Sequence, residues 1–431
     1  MVSPMIGEHG PPISAVKPGI MKLTWINTPH VIYSLLTGYI CTLRTSPATV
    51  SIRNQNAKKE ETQKEKKRTP KTMLILTEPD VSSILRNLTP EHATLLLSAL
   101  STALAAFTKE KQQQDGSPPL IHQPQRTAIT TLPARDTTLI MPVSNTTTAT
   151  SVKVVTLPNS GPVKGSISIF APDGALKGVL NAAEVTAFRT ALATMTLLTR
   201  WHCSGKREVR NLVVFGAGKQ VEWHVRLALK FLPVGGEGGG VRRVSIFNRG
   251  AARLRELEAG VLAQLRKAFP DVVFETTALE TAGEEAYGRE MRERLGETDA
   301  VFGCTPSTVP LFKAKDLLGG GERPRFMSLI GSYKPEMQEI DTETLRAAAK
   351  IWVDSKEECL IESGELIRAG TKEEELTEVG ELFLQGDNAR VEEEGLTLFK
   401  CVGFGLMDLI IGDKLLELAG QLGKGVTVDG F

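Results

Sequence analysis

Three cationic side chains in the first half of the chain stand among apolar or small neighbours: Arg126 in "PQRTAI", Lys153 in "TSVKVVT" and Arg189 in "VTAFRTALA". An arginine fork takes a carboxylate through two parallel hydrogen bonds, and a lysine withdrawn from water can pass a proton near neutral pH. Each alone also reads as a snorkelling or ion-paired residue. Together, beside a bound cofactor, they suit the carboxylate of an amino or keto acid. Further along, "LVVFGAGKQVEWH" runs from apolar residues into Gly216-Ala217-Gly218 and then, through Lys219 and Gln220, into a helical pattern. Backbone N–H groups at such a turn, with the positive helix end behind them, bind a pyrophosphate. Gly216 makes the tight turn in this reading and Gly218 admits the phosphate, while Val221 stands where the third glycine of a dinucleotide fingerprint belongs.

The next strand, "RRVSIFN", ends in Asn248 and is followed by Arg249. An NAD site usually carries a carboxylate at this strand end for the ribose 2′-OH. A carboxylate would repel a 2′-phosphate whereas Arg249 can pair with one, so NADP(H) is favoured over NAD(H).

These residues need elements to hold them. Lys153 lies in a valine-rich strand, where alternation puts it on one face with Val155 and opposite Val152 and Val154. The region around it, with strand-like "RTAITTLP", "TTLIMPV", "TSVKVVTLP" and "GSISIFAP" and a "PDG" turn at 172–174, predicts an α+β domain with antiparallel hairpins. Arg189 interrupts the small-residue face of a long helix. Beyond Arg210 six short β-rich runs alternate with helical segments near 219–231, 251–267, 286–295 and 342–349, which implies a parallel sheet covered on both faces. "GLTLFKCVGFGLMDLIIGDKLLELAGQLG" then predicts a strand and a helix that packs back on the first domain and makes it discontinuous.

The expected organisation is an extension over 1–72, an α+β domain over 73–190 completed by 396–431, and a doubly wound α/β domain over 191–395. The mixed-charge run at 57–72 has no hydrophobic period and reads as a linker or tail, so the folded unit is expected to begin near Met73, after an extension that is disordered or follows a wrongly chosen start. "GGEGGG" at 235–240 reads as a surface insertion, and "KEEELTEVGEL" and "RVEEEG" as solvated faces. Glu339 and Asp341 are expected to cap the helix that follows them, Cys304 to be a packing residue, and Asp354 has no assignment.

Bulk properties exclude several classes. A net charge of +1 offers no surface for nucleic acid or an anionic membrane. The five cysteines are odd in number and form no C-x-x-C pair, and the six histidines form no H-E-x-x-H, which argues against a disulfide scaffold and a metal site. A reducing compartment follows, the cytoplasm being expected. The first 56 residues have a single acid, Glu8, as mitochondrial presequences do, but only Arg44 and Arg53 as arginines. No apolar run reaches the roughly 18 residues of a membrane span.

Taken in order, "RTAITTLP", "IMPV", "VKVVTLPN", "GVLNAAEVTAFRTALA", "VVFGAGKQ", "CTPSTVPLF", "LIGSYKPEMQEID", "VDSKEECLIESGEL" and "LFKCVGFGLMDL" resemble the ornithine cyclodeaminase/mu-crystallin family from about Met73 to the C-terminus. The resemblance implies a homodimer, a Rossmann domain, a discontinuous substrate and dimerisation domain, and hydride transfer between NAD(P) and the α-carbon of a small amino or imino acid. It implies that Arg126 and Arg189 bind the carboxylate, that Lys153 is the active-site lysine, and that Gly216, Gly218 and Gln220 form the G-x-G-x-Q loop. Ala217, Lys219, Asn248, Arg249, Cys304, Thr305 and Pro306 complete the expected cofactor set. One position departs: where cyclodeaminases read G-G-D-x-P, "GSYKP" has Tyr333, followed by Lys334. A phenol is a poor partner for an ammonium, so reduction of a cyclic ketimine or imino acid is expected ahead of ornithine cyclodeamination to proline and ammonia. A non-catalytic NADPH-binding, crystallin-like protein is the reading of another class, and retention of Lys153 counts against it.

Overall fold

The computed structural model describes residues 72–113, 116–159, 161–204, 207–235, 240–319, 321, 323–386, 389–391 and 394–431. The expected extension lies outside these residues except for Thr72, as does most of the "GGEGGG" stretch.

Two eight-stranded sheets organise the described residues. The first contains β1 (Thr72–Leu76), β2 (Ile121–His122), β3 (Thr127–Thr130), β4 (Thr137–Asn145), β5 (Ala149–Leu157), β6 (Lys164–Phe170), β7 (Leu176–Asn181) and, from the chain end, β16 (Val426–Asp429). The second contains β8 (Asn211–Phe215), β9 (Arg243–Asn248), β10 (Val273–Ala278), β11 (Ala300–Gly303), β12 (Arg325–Leu329), β13 (Ala348–Val353), β14 (Leu376–Glu378) and β15 (Leu396–Lys400).

In the first sheet β4, β5, β6 and β7 pair antiparallel in sequence, as the hairpin signals require, with Gly174 closing the turn between β6 and β7. Alternation in β5 is as expected: Ser151, Lys153 and Val155 are buried, while Val152 and Val154 face the other way. Thr77 caps the helix Glu78–Arg86 in a capping box with Asp80, with Pro79 in its first turn. The pairing of β16 with β1 brings the chain end back onto the first strand.

The second sheet runs β10-β9-β8-β11-β12-β15-β13-β14 and is parallel throughout. Its central strands, such as "RFMSL" in β12 and "LTLFK" in β15, are buried at every position, because helices cover both faces. This is a doubly wound, Rossmann-type arrangement.

Three expectations change. The strand Leu396–Lys400 belongs to the parallel sheet, between β12 and β13, so the return to the first domain begins after Lys400 and not at 396. Its apolar run is satisfied only inside that sheet. "KEEELTEVGEL" is not a uniformly solvated face: it supplies β14 and the helix Val379–Leu384, with Leu376, Glu378 and Leu382 buried. In "RVEEEG", Val391 is likewise buried, and Glu392 and Glu393 lie outside the described residues.

The helix Ala182–Cys203 leads from β7 to β8, packing against both the helix Lys219–Phe231 and the first sheet. The helix Gly405–Leu422 follows β15 and packs on β4, β5 and β6. These two helices link the parallel sheet to the mixed one, and Asp408 on the second of them meets Lys153 on the buried face of β5.

Candidate active site

The turn after β8 is built by steric necessity. Gly216 has φ 120°, and a Cβ there would lie 3.0 Å from the Cys304 carbonyl oxygen and 3.2 Å from Cγ2 of Val221. The bulk at Val221 therefore packs under the turn and does not close it. Gly218 caps the helix Lys219–Phe231 without any side-chain hydrogen bond, and nothing lies within 4 Å of the place its Cβ would take. A helix start with unfilled space over its first N–H groups, at the point where strand order reverses between β8 and β11, fits a dinucleotide pyrophosphate.

The other expected cofactor residues gather around this turn. The Gly216 N–H donates to the carbonyl of Phe247 at 2.8 Å, which brings Asn248 and the exposed Arg249 beside it. The Cys304 N–H donates to the Phe215 carbonyl at 3.0 Å, which places Cys304-Thr305-Pro306 on its other side. Burial pushes the Cys304 thiol well up, and the nearby Glu339 adds to this, so it stays neutral. Gln220 keeps a buried side-chain oxygen with no protein partner. The Lys219 ammonium pairs with Glu184 and, at 2.7 Å, with Glu78, both on helices of the first domain.

Glu339 also departs from its expected role. Asp341 caps the following helix, accepting from the Thr344 N–H at 2.8 Å. Glu339 is instead fully buried and accepts from the Thr305 N–H at 2.8 Å and the Gly331 N–H at 2.7 Å, tying together the loops after β11 and β12. Burial pushes its carboxyl up to about 7.

Opposite this edge lies a buried charge cluster. Lys153 Nζ donates to Asp408 Oδ2 at 2.5 Å, and Arg189 Nε donates to Oδ1 of the same carboxylate at 3.2 Å. The side chains of Lys153, Arg189 and Asp408 are 1%, 4% and 0% exposed. Burial alone would raise the Asp408 carboxyl, but the two cations hold it below the usual range. Burial depresses Lys153 to about 8, since the Asp408 charge only partly offsets it and Arg189 and Arg126 add to the depression.

Arg189 packs against Gly403, whose φ of +79° and close approach to the guanidinium admit only glycine. Asp354, at the carboxyl end of β13, holds that segment, accepting from the Gly403 N–H at 2.6 Å and from the thiols of Cys359 and Cys401 at 3.2 Å each. The cluster is thereby fixed to the carboxyl edge of the parallel sheet.

Arg126 lies near this cluster and pairs with Glu362, each side chain 12% exposed, while a guanidinium N–H donates to the Tyr333 carbonyl at 3.4 Å. Burial raises the Tyr333 phenol, so it stays un-ionised. Lys334 reaches across to Thr137 in β4 at 3.4 Å. Sequence reasoning misses Asp408 and Glu362 and names Asp354 without a role, although Asp408 has a visible signal: a lone acid in the apolar run "FGLMDLIIG".

A family model, ornithine cyclodeaminase/mu-crystallin, matches residues 273–417. An uncharacterized protein of Saccharomyces cerevisiae is 30% identical over 293 residues, covering 62% of this chain and 77% of its own. The chain belongs to the ornithine cyclodeaminase/mu-crystallin family. A further relative of this family member, the Delta(1)-pyrroline-2-carboxylate reductase of Bacillus cereus, is 26% identical over 320 residues, covering 71% of this chain and 89% of its own. Among solved structures, that of Thermococcus litoralis Delta(1)-pyrroline-2-carboxylate reductase, in complex with NADH and L-proline, superposes with a TM-score of 0.65 at 22% identity, over 83% of this chain and all of that one. Its fold is the fold of this cyclodeaminase/mu-crystallin chain.

Proposed function

We propose that this chain reduces a cyclic ketimine or imino acid at its α-carbon with NAD(P)H, and oxidises the matching amino acid in reverse. The observation that carries the reading is the buried Lys153–Asp408–Arg189 cluster, anchored to the carboxyl edge of a Rossmann-type sheet. That a relative at 26% identity is a Delta(1)-pyrroline-2-carboxylate reductase supports it.

The turn Gly216–Gly218 and the segment Cys304–Pro306 would hold a nicotinamide dinucleotide, which when bound would supply the hydride. Arg249, exposed at the end of β9, supports NADP(H) as the favoured form. Arg126 and Arg189 hold the substrate carboxylate and so orient the C=N bond. Lys153, protonated below about pH 8, gives its proton to the imine nitrogen as the carbon is reduced. Asp408 keeps that ammonium in place without competing for the proton, its own carboxyl being held low. In the oxidative direction neutral Lys153 takes the proton back. Neutral Tyr333, at the position where a cyclodeaminase would carry Asp, offers no anion to a side-chain ammonium, which supports an imine over ornithine as substrate.

The exposed apolar residues Ile129, Leu132 and Val154 on the outer side of the first sheet support a homodimer joined there. The thiols of Cys304, Cys359 and Cys401, none of them in a disulfide among the described residues, support a reducing compartment such as the cytoplasm. The test is to follow NADPH and NADH absorbance in the presence of 1-pyrroline-2-carboxylate or 1-piperideine-2-carboxylate. Oxidation of the cofactor is expected; no oxidation, with ornithine converted to proline when NAD is added, would overturn the proposal.

A further inference from the structure

No carboxylate stands at the end of β9 in the sequence, but the fold brings one there from the next strand. β10 runs parallel to β9 with Ala278 opposite Asn248, so the residues after Ala278 emerge beside the loop 248–251. Glu280 is held there at two points. Its own N–H donates to the Arg249 carbonyl at 3.0 Å, and its Oε2 accepts from the Ala251 N–H at 2.7 Å. The same oxygen lies 3.9 Å from the position a Gly250 Cβ would take, so it lies over the loop.

Two exposed side chains of opposite charge therefore flank the ribose end of the cofactor site, Arg249 and Glu280. A 2′-phosphate paired with Arg249 would also draw on the N–H groups of this loop, and the one at Ala251 is already taken by a carboxylate that repels it. A ribose 2′-OH has the opposite preference, because it can donate to that carboxylate. We propose that Glu280 is a cofactor-specificity residue that opposes Arg249 and holds the preference for NADP(H) below what Arg249 alone would set. The inference rests on the dinucleotide reading of the β8–β11 cleft.

The experiment is calorimetric titration of NADH and NADPH into the purified full-length chain and its Glu280→Gln variant, with no imine present. Gln keeps an oxygen for the Ala251 N–H and removes only the charge, so the fold is retained. The ratio Kd(NADH)/Kd(NADPH) should rise about five-fold, the size of one exposed charge interaction. Glu280→Ala, which removes the acceptor too, should move it in the same direction. An unchanged ratio in Glu280→Gln, with both dinucleotides still bound, overturns the role of Glu280 and leaves the cofactor site standing. Failure of the unaltered chain to bind either dinucleotide overturns both.

Discussion

Lys153, in the first sheet, and Lys400, at the end of β15 in the second, are two lysines at the same depth, each 1% exposed. Their neighbours differ. Lys400 donates to the Ser332 carbonyl at 2.7 Å and the Ser332 hydroxyl at 2.5 Å, with Glu365 at 3.8 Å. Glu365 in turn accepts from the Ser332 hydroxyl and from the Glu339 N–H at 2.7 Å, so Lys400 pins the loops after β12 to the sheet edge. Lys153 shares its one carboxylate partner with an arginine and feels a second arginine nearby. A buried lysine surrounded by acceptors is a fastener. One crowded by cations holds its proton loosely, which is what an acid working near neutral pH requires.

Substituting each lysine should separate the two roles most sharply. Lys153→Met should lower the rate of imine reduction by about 10²- to 10⁴-fold, with a smaller stability loss than at Lys400, because Arg189 still neutralises Asp408. Lys400→Met should do the reverse, costing ~3–5 kcal/mol in denaturant titration while turnover per folded molecule persists. Equal loss of rate in both variants at unchanged stability would erase the distinction.

Asp408→Asn comes next, since it leaves two buried cations without their anion. A stability loss of ~3–5 kcal/mol is expected, together with a shift of the Lys153 titration to lower pH in the rate profile. An unmoved profile would mean that Asp408 does not set the lysine's proton affinity.

The unaltered protein provides a smaller effect. Lys153 is depressed to about 8, and the proposed reduction requires it to carry its proton. The reductive rate should therefore fall as pH rises through about 8, and the oxidative rate should rise over the same interval. A Lys153→Met enzyme that kept that limb would assign it elsewhere. The mildest test concerns Glu362, which occupies Arg126 and whose carboxyl burial pushes up to about 7. Glu362→Gln should lower KM for the imino acid several-fold at pH 8 with kcat little changed, because the substrate carboxylate no longer displaces a charge. A raised KM would show that Glu362 helps to hold Arg126 in place for the substrate.

Local rules made much of this protein legible. Alternation in "TSVKVVT" put Lys153 on the buried face of its strand, turn chemistry announced the β6–β7 hairpin, and "GAG" after an apolar run marked the loop after β8. What local rules could not reach was any contact whose partners lie far apart in the chain. Lys153 and Asp408 are separated by 255 positions, and Lys219 and Glu78 by 141. The strand Leu396–Lys400 was misplaced for a similar reason, since an apolar run says that it is buried and not in which sheet.

The sequence by itself determined the elements, the glycine turn after β8 and the charged residues that chemistry would need, because helix and strand periods, glycine conformation and burial of charge are local constraints. Only the tertiary structure decided which charges meet. It put Asp408 between Lys153 and Arg189, paired Lys219 with two carboxylates, and carried Glu280 to a strand end that looks, in the linear chain, to have no acid at all. Proton affinity and anion preference depend on distances between groups, and only folding sets those distances.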